Sequence, residues 1–379
     1  MRLLVSAGEV SGDQHAAALL AALRERVPAL ETFGVAGDRC ASLGTELLAH
    51  QKDLAVVGLV EAIGKLRFAA RLIRRLAAEA GTRRADGAVL VDSPDFNIPL
   101  ARRLAKRGVP VVFFVSPQVW AWRASRAEEI ARLGRRILVL FGFEKRWYDA
   151  RGLGANVVWV GHPLVDEAVR ELGEGLREPG GERRPPRLVL MPGSRSGEIR
   201  RNLPPMRDAV RLLRASRPDL EVVLVRADSV SDALLDEVAG PDLGGWQRVS
   251  GPHLALLAAA DALLVASGTA TVEGLLARVP MVVVYRVNAL TFFLARRLVK
   301  VPHVAMANIV SDDGSGSRTV PELIQRDATP ERIAREVAPL LDDPARGDAV
   351  RARLARGAAD LGPPGAAARA ADEVLRALA

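Results

Sequence analysis

Short apolar runs rich in β-branched residues alternate with alanine- and arginine-rich helical stretches along the whole of this 379-residue chain. In the first half the predicted strands are Leu3–Ser6, Phe33–Val35, Ala88–Val91, Val111–Val115, Ile137–Leu140 and Val157–Val160. In the second half they are Leu188–Met191, Val222–Val225, Ala262–Val265 and Val282–Val284. Strands that alternate with helices predict a parallel sheet covered by helices on both faces, so the predicted fold class is α/β.

A glycine- and proline-rich segment, residues 173–187, divides this alternation into two series. Its composition is typical of a linker or surface loop. We therefore predict two Rossmann-like domains, residues 1–165 and 166–345, whose parallel sheets face a central cleft. The tail, residues 346–379, is predicted to be helical with an interruption at Gly362–Gly365. Packing of this tail on the N-terminal domain is left open.

Several classes of protein are disfavoured by what the sequence lacks. Neither a Walker P-loop nor a G-x-G-x-x-G fingerprint is present, which weakens ATPase and NAD-binding interpretations. The single cysteine, Cys40, cannot form an intramolecular disulfide. No apolar run approaches the roughly 18 residues of a spanning helix, and the first residues lack the pattern of a signal peptide. We therefore expect a cytoplasmic protein.

The formal charge of +8 at pH 7 is carried almost wholly by arginine. Arginine binds phosphate in a forked geometry, so nucleic acid and anionic lipid are both conceivable partners. The arginines are spread along the chain without a nucleic-acid-binding motif, which argues against nucleic acid. Two stretches, Val56–Ala77 and Leu290–Val301, combine apolar residues with basic ones as a helix at an anionic bilayer surface would. The alternative is that each apolar stripe packs on its own domain.

Three polar segments follow predicted strands of the first half, where ligands collect in open α/β sheets. Ser6–Asp13 is a tight turn with two glycines before a helix, or an ordinary βα turn with a cap residue. Asp92 begins the segment Asp92–Asn97 and could accept a proton from an attacking hydroxyl, although turn and cap roles are equally open. Ser116–Arg123 contains two tryptophans, which either line a site or form a structural wedge.

In the second half two strand–turn–helix segments, Met191–Ile199 and Ala266–Glu273, resemble anion sites. Backbone N–H groups at a helix start bind phosphate oxygens, and the Arg195 guanidinium would add a forked contact. Glu273 could accept a hydrogen bond from a ribose hydroxyl. We therefore predict diphosphate binding here. No metal site is predicted, because the five histidines show no ligand spacing and the aspartate pairs lie in polar loops.

Taken in order, these segments resemble lipid-A-disaccharide synthases, a family of GT-B glycosyltransferases. The segments that carry the resemblance are Ala7–Asp13, Asp92–Asn97, Ser116–Arg123, Gly161–Pro163, Pro192–Arg195, Ala266–Glu273 and Pro280–Arg286. The resemblance implies a GT-B fold with an acceptor-binding N-terminal lobe and a nucleotide-binding C-terminal lobe. It implies inverting transfer of diacylglucosamine from UDP to diacylglucosamine 1-phosphate, with no cofactor and no obligatory metal, at the cytoplasmic face of the inner membrane.

Carried over residue by residue, the resemblance makes Asp92 the base for the acceptor's primary hydroxyl and Arg195 the cation that neutralises the departing UDP. It places Asn308 among the functionally important residues and Glu9 in the characteristic N-terminal turn, and it assigns Val56–Ala77 to acyl chains and membrane. The predicted donor-binding residues are Gly193, Ser194, Arg195, Ser267, Gly268, Thr269, Glu273 and Arg286. A homodimer is one of the oligomeric states left open.

Two other classes of function compete with this interpretation. One is another UDP-sugar enzyme of the same fold, either a peptidoglycan-type transferase or a UDP-N-acetylglucosamine 2-epimerase. An epimerase would need no lipid contact, so the basic amphipathic stretch near residue 65 argues against it. The other is a non-catalytic nucleotide-sugar-binding protein. The joint presence of Asp92, Arg195 and Glu273 argues against a degenerate site.

Overall fold

Two parallel sheets organise the chain. The computed structural model describes residues 1–54, 61–122, 124–173, 185–240, 245–288, 292, 301–312 and 317–379. These residues form two units, Met1–Pro163 with Leu361–Ala379, and Leu164–Asp360. Each unit has its own sheet, and every strand pair within the two sheets is parallel.

The first unit has seven strands in the order β3-β2-β1-β4-β5-β6-β7. The strands are β1 (Arg2–Ala7), β2 (Glu31–Ala36), β3 (Glu46–His50), β4 (Gly87–Val91), β5 (Val111–Phe114), β6 (Arg136–Val139) and β7 (Val157–Trp159). The helices are α1 (Val10–Arg26), α2 (Asp38–Ser42), α3 (Glu61–Thr82), α4 (Pro94–Ala105), α5 (Val119–Trp122), α6 (Ala127–Leu133), α7 (Gly142–Asp149) and, at the end of the chain, α16 (Ala366–Leu378). Short 3₁₀ helices lie at Gln51–Leu54, Ala124–Arg126 and Ala359–Leu361.

The second unit has six strands in the order β10-β9-β8-β11-β12-β13. The strands are β8 (Arg187–Met191), β9 (Glu221–Val225), β10 (Gln247–Val249), β11 (Ala262–Ala266), β12 (Met281–Tyr285) and β13 (Glu322–Ile324). The helices are α8 (Leu164–Leu172), α9 (Ser196–Ser216), α10 (Asp232–Ala239), α11 (Leu254–Ala258), α12 (Thr269–Leu276), α13 (Met306–Val310), α14 (Pro330–Asp342) and α15 (Pro344–Ala358), with a 3₁₀ helix at Gln325–Asp327.

Central strands are buried on both faces, as helices on either side of a parallel sheet require. Every residue of β4 and of β11 is buried. In each unit the strand order reverses beside the first strand, between β1 and β4 and between β8 and β11. Connections leave these two strands in opposite directions, which opens a crevice at their carboxyl ends. Each sheet therefore has one position at which the fold favours a ligand.

The tail divides between the units instead of forming one segment from residue 346. Helix α15 belongs to the second unit, and the chain joins the first unit from Leu361 onward. There α16 packs along α1, where Arg26 Nε donates to Asp372 Oδ1 at 2.6 Å. Arg369 Nε also donates to the carbonyl of Val160 at 2.9 Å. The alanine-rich face of α16 therefore completes the first unit, while the apolar side of α15, including Leu354, is buried in the second.

Helix α3 is built into the first unit over its second half. Leu72, Ile73, Leu76 and Ala77 are buried in the core of that unit. For these residues the packing alternative of the sequence analysis is confirmed. Residues 55–60, the side chains of 61–65, and residues 290, 291 and 293–300 of the second basic stretch lie outside the part of the chain that the structure describes.

Candidate active site

Glu9 and Asp92 lie at the carboxyl ends of adjacent strands. Ala7, the last residue of β1, pairs with Val91, the last residue of β4. Glu9 follows β1 as the N-cap of α1, and Asp92 follows β4 directly. The sequence placed both residues in turns that follow strands, and the structure brings the two turns to the strand-order reversal of the first sheet.

Gly8 allows the two turns to touch. A Cβ atom on Gly8 would lie 2.9 Å from Ser93 Oγ and 3.4 Å from Leu54 Cδ1. Real Cβ atoms essentially never approach another heavy atom as closely as the first of these distances. A side chain at position 8 would therefore force the Ser93 hydroxyl to rotate away or the two turns to move apart.

The Asp92 carboxyl is half-buried, whereas Glu9 is exposed. Burial and then the negative charge of Glu9 raise the pKa of Asp92 to about 6, against the opposing effect of a hydrogen bond from the Ser93 backbone. Desolvation and a nearby like charge both disfavour the carboxylate, which explains the direction. A pKa close to neutral suits a general base, because the group is ionised at working pH and still binds a proton well.

Trp120 is a structural residue of the first unit. Its side chain is buried, and its Nε1 donates to Glu144 Oε1 at 3.1 Å. Its ring meets that of Phe143 edge-on, with the ring centroids 4.9 Å apart. Trp120 thus behaves as the wedge of the sequence analysis. The side chain of Trp122 and all of Arg123 lie outside the described residues.

His162, in the segment Gly161–Pro163, is also part of the packing. Its ring lies edge-on to that of His15, with the centroids 5.7 Å apart. Burial and the neighbouring His15 lower the pKa of His162 to about 3, and burial lowers that of His15 to about 4. Both imidazoles are therefore neutral at physiological pH.

In the second unit two helices begin at the strand-order reversal. Helix α9 follows β8 through the turn Pro192–Arg195, and α12 follows β11 through Ser267 and Gly268. Strands β8 and β11 are neighbours, with Met191 paired with Val265. Gly193, Ser194, Arg195, Ser267, Gly268 and Thr269 consequently lie at one edge of one sheet, where the N–H groups of two helix starts favour an anion.

Glu198 holds the start of α9, a role that the sequence analysis missed. Its Oε2 accepts hydrogen bonds from the backbone N–H groups of Ser194 at 3.0 Å and Arg195 at 3.4 Å. Its Oε1 pairs with Arg195 Nη1 at 3.0 Å. A Cβ on Gly193 would lie 2.6 Å from Glu198 Cβ, so this turn needs glycine. The sequence signal was the glutamate at the third helical position, which is typical of a capping box.

Gly268 is required by its backbone rather than by crowding. Its φ of 139° and ψ of −156° lie in a region that is essentially restricted to glycine. Nothing lies within 4 Å of a Cβ placed there, so the space beside it is open. Ser267 Oγ donates to the carbonyl of Val304 at 3.2 Å, which ties this turn to the segment before α13.

Arg286 follows β12, the next strand of the sheet. Its backbone N–H donates to Asn202 Oδ1 at 3.0 Å, and Asn202 Nδ2 donates to the carbonyl of Pro192 at 3.1 Å. The buried Asn202 amide thus joins the turn at Gly193 to the residue after β12. Among the described residues, no ion pair occupies the Arg286 guanidinium, which leaves it able to bind a phosphate.

Glu273, the predicted ribose-binding residue, is paired with His253. His253 Nε2 lies 3.4 Å from Glu273 Oε2, and its Nδ1 lies 2.8 Å from the carbonyl of Gly251. Burial lowers the pKa of His253. The hydrogen bond to Glu273 and its charge, with smaller contributions from the Gly251 carbonyl and Glu171, together raise it more, so the net shift is upward. A single histidine in a loop gave no sequence signal for this role.

Asn308 makes its hydrogen bonds within the second unit. Its Nδ2 donates to the carbonyl of Val320 at 2.9 Å and to Glu322 Oε1 at 2.8 Å, and its Oδ1 accepts from the N–H groups of Thr319 and Val320, each at 2.9 Å. The side chain is buried, and its amide is fully used by these bonds. This geometry favours a positioning role over direct contact with a substrate.

The buried carboxylate of Glu322 links Asn308 to the turn at Ser267 and Gly268. Glu322 accepts hydrogen bonds from the N–H groups of Val304 and Ala305, and the carbonyl of Val304 accepts from Ser267 Oγ.

Replacing Asn308 with alanine is expected to lower the free energy of unfolding by about 1–3 kcal/mol, since buried partners lose their bonds. It is also expected to raise the Kd for UDP through the displaced Ser267 turn. Thermal unfolding and calorimetric titration with UDP measure both; lost turnover with normal stability and UDP affinity would contradict this role.

Comparison with known proteins identifies the family. A family model described as lipid-A-disaccharide synthetase matches residues 3–360. The chain belongs to the lipid-A-disaccharide synthase family. The synthase of Anaeromyxobacter dehalogenans (strain 2CP-C) is 43% identical over 376 residues, covering 99% of this chain and 97% of that protein. That of Myxococcus xanthus (strain DK1622) is 41% identical over 382 residues, covering 100% and 97%.

Solved structures show the fold. CalG4, the calicheamicin glycosyltransferase, has a TM-score of 0.60 at 19% identity, covering 100% of this chain and 98% of that one. The UDP-GlcNAc 2-epimerase from Neisseria meningitidis bound to UDP-GlcNAc has a TM-score of 0.63 at 11% identity, covering 99% and 100%. The GT-B fold is thus confirmed. Glycosyltransferases and 2-epimerases share this fold, so the family membership decides the activity. This member is a glycosyltransferase of lipid A biosynthesis, and the epimerase alternative is not favoured.

The family implies a nucleotide sugar and a lipid saccharide as substrates. Within the described residues, no helix combines the length and apolarity needed to cross a membrane. No group of three metal-ligating side chains stands close enough together in that part of the chain to hold an ion. The predictions of a metal-free reaction, of no nucleic-acid partner and of a homodimer as one possible state stay predictions.

Proposed function

We propose that this synthase condenses UDP-2,3-diacylglucosamine with 2,3-diacylglucosamine 1-phosphate, giving the tetra-acylated disaccharide 1-phosphate and UDP. The observation that carries the proposal is the meeting of Asp92 and Glu9 at the carboxyl ends of β1 and β4. In an open α/β sheet this is where a substrate binds. Asp92 there combines partial burial with a pKa of about 6, as a base for a hydroxyl should.

Asp92 accepts the proton of the acceptor's primary hydroxyl as that oxygen attacks the anomeric carbon of the donor. The new carbon–oxygen bond forms while the bond from the anomeric carbon to the UDP oxygen breaks, so UDP leaves with the bonding electrons. A single displacement of this kind inverts the anomeric configuration, as in inverting glycosidases. Glu9 contributes by keeping the pKa of Asp92 raised, so that the carboxylate binds the proton more strongly.

The second unit binds the UDP of the donor in this proposal. The helix starts at Ser196 and Thr269 offer backbone N–H groups to the diphosphate. Arg195 and Arg286 supply positive charge that stabilises the diphosphate as the bond to the sugar breaks. Glu273 accepts a hydrogen bond from a ribose hydroxyl. No metal ion is part of this scheme.

Arg195 can exchange Glu198 for a phosphate at little cost. Its side chain is 70% exposed, and exposed ion pairs contribute only about 0–1 kcal/mol. A guanidinium binds a diphosphate through two parallel hydrogen bonds, a stronger arrangement than its hydrogen bond to Glu198 Oε1. We therefore infer that donor binding transfers Arg195 from Glu198 to the diphosphate.

We propose that the exposed face of α3 between Leu66 and Arg74 lies against an anionic membrane, at the cytoplasmic face of the inner membrane. Leu66 is 70% exposed, and Arg67, Arg71 and Arg74 are exposed on the same helix. Replacing these three arginines with glutamate is expected to weaken binding to anionic vesicles by at least about 100-fold, since each basic residue near such a surface contributes about 1 kcal/mol. Flotation with vesicles containing phosphatidylglycerol measures the change.

A matched control separates this surface from net charge. Arg103, Lys106 and Arg107 are also exposed, on α4 and just beyond it in the same unit, and their replacement with glutamate changes the net charge equally. The control variant is expected to bind vesicles nearly as well as the wild type. Equal losses in both variants, or no loss in either, would contradict a membrane role for α3.

The proposed reaction is tested with the purified protein and both lipid substrates in detergent, in parallel with UDP-N-acetylglucosamine alone. Chromatography and mass spectrometry follow UDP and the sugar products. We expect UDP and a tetra-acylated disaccharide phosphate from the lipid pair, and no change in UDP-N-acetylglucosamine. A 2-epimer from UDP-N-acetylglucosamine, or no disaccharide from the lipid pair, would refute the proposal.

A further inference from the structure

The backbone at the proposed base adopts a conformation that few side chains tolerate. Asp92 has φ 46° and Ser93 has φ 45°, both in the left-handed region. Residues other than glycine held there cost about 1–3 kcal/mol each and persist only where their surroundings enforce the conformation. Two such residues in succession, at the carboxyl end of β4, need a specific restraint.

Asn97, in the first turn and a half of α4, provides that restraint. Its side chain is fully buried, and its Nδ2 donates to the carbonyl oxygens of Asp92 at 2.7 Å and Val91 at 3.0 Å. Its Oδ1 accepts from Ser6 Oγ on the neighbouring strand β1 at 2.6 Å. The amide thus fixes both peptide planes that flank the Asp92 Cα and ties them to β1.

Backbone hydrogen bonds hold the same turn from other directions. The N–H of Asp92 points to the carbonyls of Phe114 and Val115, each at 3.2 Å. The N–H of Asn97 donates to the carbonyl of Ser93 at 2.9 Å. Among these bonds, those of the Asn97 amide are the ones that a side-chain substitution can remove, because the others are made by the backbone.

We propose that Asn97 is a positioning residue for transfer: it holds the left-handed backbone of Asp92 and so aims the carboxylate at the acceptor hydroxyl. This rests on the proposed role of Asp92 as the base. Loss of the amide lets Asp92 relax towards an ordinary backbone conformation. The carboxylate then leaves the half-buried position beside Glu9, and both its direction and its proton affinity change.

The second unit also has a buried asparagine that binds the backbone of turns after strands, and this residue supplies a contrast. Asn202 is fully buried on α9 and binds the carbonyl of Pro192 and the N–H of Arg286. It holds turns of the proposed donor site in the second unit. If each amide acts locally, equivalent substitutions at the two asparagines change different kinetic parameters. If both only stabilise the fold, they change the same ones.

The test measures kcat, the KM for the acceptor, the Kd for UDP and the pH dependence of kcat/KM for Asn97→Ala. We expect kcat to fall by about 10²-fold, the loss typical of a misplaced catalytic group, with little change in the Kd for UDP. The acid limb of kcat/KM is expected to move below the wild-type position, set by the Asp92 pKa of about 6, towards that of an ordinary carboxyl. Asn202→Ala is expected to raise the Kd for UDP and to leave the acid limb in place.

Asn156→Ala is the matched structural control within the first unit. Asn156 Nδ2 also donates to two carbonyls, those of Ala131 at 2.8 Å and Gly134 at 2.6 Å. It lies before the amino end of the edge strand β7, whereas Asp92 lies after the carboxyl end of the central strand β4. This variant is expected to lower the melting temperature without moving the acid limb. If Asn97→Ala does not fold, Ser6→Ala removes one bond to the same amide and is expected to shift the limb in the same direction by less.

A folded Asn97→Ala protein with wild-type kcat and an unmoved acid limb overturns the proposal, as does an unmoved limb in Ser6→Ala when Asn97→Ala does not fold. Failure of the base assignment gives a different result, since Asp92→Asn would then retain turnover. An inactive Asp92→Asn beside an unaffected Asn97→Ala leaves the base assignment standing and removes only the role of Asn97.

Discussion

Asp92→Asn is expected to lower kcat for disaccharide formation by about 10²- to 10⁴-fold, the usual contribution of a general base. The amide keeps the shape of the side chain but cannot accept the proton of the acceptor hydroxyl. Affinity for UDP should be unchanged, because Asp92 belongs to the first unit and the proposed donor residues to the second. Steady-state turnover and calorimetric titration with UDP measure the two effects.

Asp95→Asn is the matched control for this loss. Asp95 lies in the same segment, is exposed and pairs with Arg126 Nη1 at 2.8 Å. Removing its charge is expected to leave kcat near that of the wild type. Near-normal turnover in Asp92→Asn would remove Asp92 as the base. Equal losses in both variants would show that the segment needs its negative charge and not the base.

Asp92→Asn is also expected to stabilise the folded protein above about pH 6. Burial and Glu9 raise the pKa of Asp92 to about 6 in the folded chain, whereas an unfolded aspartate has a pKa of about 3.9. The folded state therefore binds the Asp92 proton more tightly than the unfolded state does. Protonation of Asp92 stabilises the fold at low pH, and this contribution to the free energy of unfolding is lost as the pH rises from about 4 through about 6. The melting temperature of Asp92→Asn should exceed that of the wild type at pH 8, and the two should converge near pH 4.

Arg195→Ala is expected to lower kcat by about 10²- to 10³-fold, the cost of removing one group that stabilises developing charge. The loss should be accompanied by a higher Kd for UDP, since the guanidinium would also bind the diphosphate of the ground state. Arg195→Lys should recover part of the activity, because an ammonium keeps the charge and loses the forked contact.

Arg200→Ala controls for loss of an arginine on the same helix. Arg200 pairs through both terminal nitrogens with Glu237, at 2.6 and 2.9 Å, away from the start of α9. It is expected to change neither turnover nor UDP affinity. Unchanged turnover and UDP affinity in Arg195→Ala would refute the phosphate role of Arg195. Equal losses in Arg195→Ala and Arg200→Ala would point to a general effect of helix charge.

The central strands could be predicted from the sequence because a strand that is buried on both faces consists of a continuous run of apolar residues, as in β4 and β11. The strands β3, β10 and β13 were missed. All three are edge strands; β10 and β13 have only three residues each, and β3 is largely half-exposed, so neither length nor pattern marks them. The division of the tail was missed for a different reason: α15 and α16 have similar compositions but pack on different units.

The positions of Asp92, Arg195 and Gly268 at strand ends followed from the strand–turn–helix pattern. The roles of the residues that hold these positions could not be predicted, because they depend on hydrogen bonds between residues that are distant in sequence. Asn97 reaches Ser6 on another strand, Asn202 reaches Arg286, and His253 reaches Glu273. For Asn308 the family resemblance indicated importance, and only the structure shows its amide bound by Val320, Thr319 and Glu322.

The most direct test of single displacement by an activated hydroxyl is the linkage of the product. Nuclear magnetic resonance of the purified disaccharide gives the anomeric configuration and the acceptor oxygen that was glycosylated. With Asp92 as the only base, we predict inversion relative to the UDP donor and attachment to the primary hydroxyl. Retention of configuration would require a covalent glycosyl-enzyme intermediate or attack from the same face, and it would contradict the mechanism. Attachment to another hydroxyl would contradict the proposed aim of the Asp92 carboxylate.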